Sequence, residues 1–275
     1  MNESPHTAGT VATPEEPIVV RSRRGTTLLL RMNRPDSCNA MSLEMYRLLI
    51  AYLAEAEQDD TVGCIVLTGT GKYFSAGRDL KERNVERPAA HEYFESSMYS
   101  RDGPGHFYDF LARYRKPIIT AINGPAVGGG AITAFLGDIS VASEDAYFAL
   151  PELDRGVTAV GATMVFPRLI SRAKGMLLVL TCRRCSAVEA ERIGLLSMVV
   201  PSSEVNDVAM QLAEEIGAKS GVAIRMFKTA LQAGPWGITH TENVVREALR
   251  ALAETTPERY AHTRRGLESI TSKPI

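Results

Sequence analysis

The sequence predicts an α/β protein, and three observations predict it. Short apolar runs rich in β-branched residues alternate with stretches of helical periodicity in the N-terminal part of the chain. Two of those runs lead into glycine-punctuated loops that end at a helix start. Beyond about residue 165 helical periodicity dominates, with one short strand, Met198–Val200, among the helices. Strands alternating with helices, then helices alone, describe an α/β core followed by a helical segment. No low-complexity linker divides the two, so the helices are expected to pack on the core or on a neighbouring subunit.

The elements follow in order. Residues 1–17 are polar, carry Pro5, Pro14 and Pro17, and lack the apolar stretch of a signal peptide. They are expected to form a disordered tail. Ile18–Arg21 and Thr26–Met32 read as strands around a turn at Arg23-Arg24-Gly25. Ser42 can cap a helix over Leu43–Glu57, with apolar residues at Leu43, Tyr46, Leu49, Ile50 and Leu53. Gly63–Thr68 and Pro117–Ile122 are apolar strands, and Ile139–Ala142 and Tyr147–Ala149 are shorter ones. Residues 83–107 are polar with scattered aromatics, which suggests an irregular, mobile segment over a site. Helices are expected over Ala173–Thr181, Ala187–Ile193, Val205–Ala218, Ile224–Leu231 and Asn243–Ala253.

Composition narrows the function. The formal net charge of 275 residues is −1, so no overall field recruits nucleic acid or an anionic membrane. No run of about 18 apolar residues is present, so no membrane span is expected. The CxxC at Cys182 and Cys185 has no second cysteine pair and no nearby histidines, which disfavours zinc. Its flanks read as a helix end and a new helix start, so the pair is expected to sit at a turn. A reduced, cytoplasmic setting is expected.

The glycine loops are not nucleotide motifs. Around Gly69-Thr70-Gly71-Lys72-Tyr73, Val66 stands where a phosphate loop needs its first glycine, and Tyr73 stands where Ser or Thr must hold magnesium. In Gly128-Gly129-Gly130, Thr133 occupies the third glycine position of a dinucleotide fingerprint. What remains is a strand, a glycine loop and a helix start, twice: Phe74–Leu80 and Val127–Ala131. N–H groups at such starts lack intrahelical partners and sit at the positive end of the helix dipole. Two converging on one point can form an oxyanion hole.

At these loops the chain resembles the crotonase (enoyl-CoA hydratase/isomerase) superfamily. The matching segments are Asn33-Arg34-Pro35 with Asn39-Ala40-Met41, Ile65–Gly69, Phe74-Ser75-Ala76-Gly77-Arg78-Asp79-Leu80, Lys116-Pro117, Ile122-Asn123-Gly124, Val127–Gly130, Gly137-Asp138-Ile139, Phe148–Glu152 and Thr181–Val200. The resemblance spans roughly residues 18–270. It implies a spiral of ββα units over 18–200 and, over 201–275, a helical region used to form a homotrimer or a dimer of trimers. It implies an acyl-CoA thioester as substrate, with no metal and no resident cofactor, coenzyme A being part of the substrate. The oxyanion donors become the N–H groups of Arg78 and Gly129. The Ala76 carbonyl takes the adenine amino group, and Asn39 and Ala40 join it in the coenzyme-binding set.

An oxyanion hole acidifies the α-carbon but moves no proton, so a positioned base is needed. The hydratases this chain resembles use two glutamates. Here one position is Glu152 and the other is Ile132. One carboxylate can shuttle a proton between carbons, which favours double-bond isomerisation, although relatives acting on hydroxycinnamoyl thioesters add water with the second glutamate alone. An apolar Ile132 would also raise the Glu152 pKa by desolvation. If Asp154 points inward it can serve as a second carboxylate: strand alternation would put it on the same side as Glu152, whereas a loop there would break that inference. A dienoyl isomerase would need an acid near Ala159 or Val160. The alternative to an enzyme is a catalytically inactive acyl-CoA-binding paralogue, motivated by the loss at Ile132.

Overall fold

The computed structural model describes residues 16–83 and 103–232. Almost all of the expected tail and the expected helix over Asn243–Ala253 lie outside that range, as does most of the 83–107 segment. β1 (Val19–Arg24) and β2 (Thr27–Met32) make an antiparallel hairpin. β2 then opens a run of parallel neighbours: β3 (Cys64–Gly69), β4 (Ile118–Ile122), β6 (Ile139–Ser143) and β9 (Met198–Val200). A second sheet orders β5 (Ala126–Val127), β7 (Tyr147–Ala149) and β8 (Cys185–Ser186). After β4 the chain adds β5 to the small sheet and enters a helix; after β6 it adds β7. One strand per sheet and then a helix is the ββα turn that the resemblance implies.

The central strands of the large sheet, β3 and β4, are buried on both faces, so they read as continuous apolar runs. Cys64, Val66, Ile119 and Val141 face Val205, Ala209 and Ala213. The alternate residues, Ile65, Leu67, Ile118 and Ile122, belong to the main core with Met45, Tyr46 and Leu49. Those three lie on α1 (Leu43–Gln58), whose start is fixed as expected: the Ser42 Oγ accepts the Met45 N–H at 3.1 Å. A single turn, α2 (Leu80–Arg83), follows the first glycine loop.

Two helices were not expected. α3 (Pro104–Arg113) occupies part of the segment read as irregular. Gly103 caps it and Pro104 opens it, a start signal hidden among polar residues. After α4 (Gly129–Phe135), α5 (Val160–Leu169) carries Pro167 inside it, which masks the helical pattern. The remaining helices lie where periodicity placed them: α6 (Arg172–Thr181), α7 (Ala187–Arg192), α8 (Val205–Gly217) and α9 (Gly221–Gln232). α9 is tied to the sheet by Lys228, whose Nζ donates to the Lys116 carbonyl at 2.8 Å and to Asp138 at 2.6 Å. Cys182 ends α6 in the left-handed region and Cys185 opens β8, both as free thiols. The CxxC is a turn.

Candidate active site

The site is built where three loops meet. Met41 donates to the Gly77 carbonyl at 2.8 Å and accepts the Asp79 N–H at 3.0 Å. This parallel bridge spends the groups of residues 77 and 79 and turns the Arg78 N–H the opposite way. The Ser75 carbonyl accepts the Val127 N–H at 2.9 Å, which lashes the first glycine loop to the second. The contact is close. A Cβ on Gly77, whose φ is +84°, would stand 2.5 Å from the Val127 carbonyl oxygen and 2.9 Å from the Gly129 nitrogen. Only glycine fits there.

Gly129 is the first residue of α4, so its N–H has no intrahelical acceptor. Among the described residues, neither it nor the Arg78 N–H donates to another group. The sequence therefore brings these two donors onto adjacent loops, with their hydrogen bonds unspent.

Glu152 comes next to them by a short route. The Gly128 N–H donates to the Ala149 carbonyl at 2.8 Å, so the glycine loop pairs with the strand that leads into Pro151 and Glu152. A Cβ on Gly128 would lie 3.1 Å from Glu152 Oε1. The other oxygen, Oε2, is buried with no hydrogen-bond partner among the described residues. Burial raises the carboxyl above its ordinary pKa, and its own backbone N–H and Arg155 offset that only in part. Such a carboxylate is poised to exchange protons with a ligand.

Asp154 does not join it. Glu152 has helical backbone angles and heads a 3₁₀ turn over Leu153–Arg155, so strand alternation does not apply and Asp154 is exposed. Ile132 is buried and packs beneath α5, where a Cβ on Gly161 would stand 2.8 Å from its Cγ1. Ala159 is buried just before α5 and Val160 is exposed, so no acid stands at either place.

The expected coenzyme-binding residues divide. The Ala76 N–H donates to Cys38 at 2.9 Å, but no donor among the described residues reaches its carbonyl. Asn39 is fully buried and its amide is fully used. It accepts the Arg34 N–H at 2.9 Å and donates to the Thr70 and Tyr73 carbonyls at 2.9 and 2.7 Å. Its side chain clamps the loops together, and its amide is spent within the fold. The Ala40 carbonyl is likewise taken by Arg34 Nη1 at 2.6 Å, and the same nitrogen pairs with Asp79 at 2.9 Å. Burial alone would raise the Asp79 carboxyl, but Arg34 and the Lys81 N–H hold it below its ordinary range.

Two tyrosines were missed as site residues. A Cβ on Gly129 would overlap the Tyr108 hydroxyl and lie 3.6 Å from that of Tyr46. Tyr46 falls on the apolar pattern of α1, and Tyr108 lies on the unexpected α3. A hydroxylated ring at a core position of α1 was the available signal.

With this geometry in place, comparison with known proteins decides the family. The family model described as enoyl-CoA hydratase/isomerase matches residues 23–271. The chain belongs to the enoyl-CoA hydratase/isomerase family. It is an enzyme of that family, with the family's crotonase fold. A probable mitochondrial enoyl-CoA hydratase of Dictyostelium discoideum is 38% identical over 77% of this chain and 74% of its own. The 1,2-epoxyphenylacetyl-CoA isomerase of Escherichia coli is 32% identical over 90% of this chain and 92% of its own. The crystal structure of an enoyl-CoA hydratase from Bacillus anthracis superposes with a TM-score of 0.84 at 28% identity, covering 92% of this chain and 97% of that one.

Proposed function

We propose that the protein acts on enoyl-CoA thioesters, with the Arg78 and Gly129 N–H groups holding the thioester oxygen as it becomes an enolate and Glu152 carrying the proton. The observation that supports this best is a half-buried carboxylate with one oxygen lacking a partner among the described residues, set against the second glycine loop, which offers the Gly129 donor beside the Arg78 donor of the first. Donors fixed before reaction stabilise developing charge without reorganising, and each is worth about 10²–10³ in rate. Glu152 as base removes an α- or γ-proton and as acid returns it to the other carbon. With Ile132 in place of a second carboxylate, this shuttle favours moving a double bond over adding water.

The free Ala76 carbonyl suits an amino group such as that of adenine. The chemistry needs no resident cofactor or metal, since backbone and one carboxylate supply it. Free thiols at all four cysteines fit a reducing, cytoplasmic setting. Exposed Val160, Leu169, Met176, Leu177 and Leu180 on α5 and α6 favour a trimer or a dimer of trimers.

Assay with 2-enoyl-CoA and 3-enoyl-CoA tests the reaction. Turnover of the 3-enoyl thioester to its 2-enoyl isomer is expected to exceed hydration, and Glu152→Gln is expected to abolish it. Tight coenzyme A thioester binding with no turnover of either substrate would instead identify an inactive acyl-CoA-binding paralogue.

A further inference from the structure

The Tyr46 and Tyr108 rings sit in an aromatic cluster around Phe107, with centroid separations of 5.3 and 6.0 Å. For that packing alone phenylalanine would serve better at both positions. Burying a hydroxyl without a partner costs about 1–3 kcal/mol. Tyr46 is fully buried, its hydroxyl makes no hydrogen bond of full geometry among the described residues, and the side chain toward which it can donate is Tyr108. The Tyr108 hydroxyl occupies the space a Cβ on Gly129 would fill, and the Tyr46 hydroxyl lies 3.6 Å from that position, in van der Waals contact with it. Tyr108 feels the charges of both Arg78 and Glu152, and Tyr46 feels that of Arg78. The phenols therefore stand among the three groups to which the reaction has been assigned.

We propose that the Tyr108 hydroxyl, backed by that of Tyr46, is a third hydrogen-bond donor to the substrate's thioester oxygen, beside the Arg78 and Gly129 N–H groups. This rests on the oxyanion assignment above. A ligand atom that accepts the Gly129 N–H lies one hydrogen bond from a nitrogen whose own Cα carries the position that the Tyr108 hydroxyl fills. The donor must be the neutral phenol. Burial keeps it so, pushing Tyr108 up to about 12 and Tyr46 well above its ordinary value. The Tyr46 hydroxyl, next along, can donate to the Tyr108 oxygen once Tyr108 turns its own proton to the substrate, and such chains polarise one another.

The test is a binding spectrum. The conjugated thioester of an arylacryloyl-CoA absorbs at longer wavelength when its carbonyl oxygen is hydrogen-bonded. The full chain is titrated with this probe as wild type, Tyr108→Phe, Tyr46→Phe and Tyr114→Phe. Tyr114 is the control, because its hydroxyl donates to the Leu53 carbonyl at 2.9 Å, within the core. A red shift is expected in wild type and Tyr114→Phe, a smaller one in Tyr46→Phe and the smallest in Tyr108→Phe. Turnover by Tyr108→Phe is expected to fall about ten- to a hundredfold in kcat with KM little changed, because the donor acts on charge that develops in the transition state. A full red shift in Tyr108→Phe, or a KM change with kcat intact, would overturn the proposal and leave the two-donor oxyanion hole standing. A wild-type complex with no red shift would remove the oxyanion assignment itself, and this proposal with it.

Discussion

At the scale of single residues, Glu152 carries an opposition between stability and activity. Its carboxyl is half-buried, one oxygen lacks a partner among the described residues, and burial raises its pKa. A group whose folded pKa is raised binds its proton more tightly when folded. Its contribution is therefore fullest below the unfolded pKa and is lost as pH rises through the folded value. At neutral pH the ionised Glu152 is a net cost to the fold. Glu152→Gln is expected to raise stability there by about 1 kcal/mol while activity collapses. Urea denaturation of both proteins at pH 5 and pH 8 checks this, the gap being wider at pH 8. A variant less stable than wild type at pH 8 would mean that the ionised carboxylate is held by contacts that favour it. The glutamate itself was legible in the sequence, through its place after Pro151. Its environment was not, because the 3₁₀ turn that isolates Asp154 from it leaves no periodic trace over three residues.

At the scale of elements, the two glycine loops work as one unit, joined by the Ser75–Val127 bond and the approach of Gly77 to Gly129. Gly77→Ala is expected to destabilise the fold by about 1–3 kcal/mol, since it forces a side chain into a left-handed position against backbone. It should also move both donors and so lower kcat more than the loss of stability explains. Thermal unfolding with steady-state kinetics on the folded fraction separates the two effects; wild-type kcat in that fraction would show that the loops are not coupled. The strands and most helices could be read from their periods, because their apolar faces must meet the core. α3 and α5 could not, since Pro104 and Pro167 read as breaks and tertiary packing overrides them. Asn39 shows the same limit: its sequence position suggested a ligand contact, and three hydrogen bonds across the fold make it a clamp.

At the scale of the whole molecule, the fold leaves an apolar surface on α5 and α6. Val160 is 62% exposed and Leu180 60%, high for large apolar side chains on neighbouring elements. Light scattering is expected to give three or six times the chain mass, and Leu180→Glu to shift that toward the monomer. A monomeric wild type would remove the assembly and leave the site assignment untouched. The large sheet was legible from its apolar runs, whereas the small one was not, because β5 and β8 are two residues each. Strands that short are defined by their neighbours rather than by their own pattern.

The most direct test of the central claim is proton exchange at carbon, because under the proposed function it draws on the oxyanion hole and Glu152 together and on no particular acyl chain. A saturated acyl-CoA is incubated with the enzyme in D₂O, and loss of the α-proton signal is followed by NMR. Wild type is expected to exchange the α-protons, and Glu152→Gln to bind the thioester but leave them in place. Exchange at the wild-type rate in Glu152→Gln would contradict the assignment of the proton to Glu152.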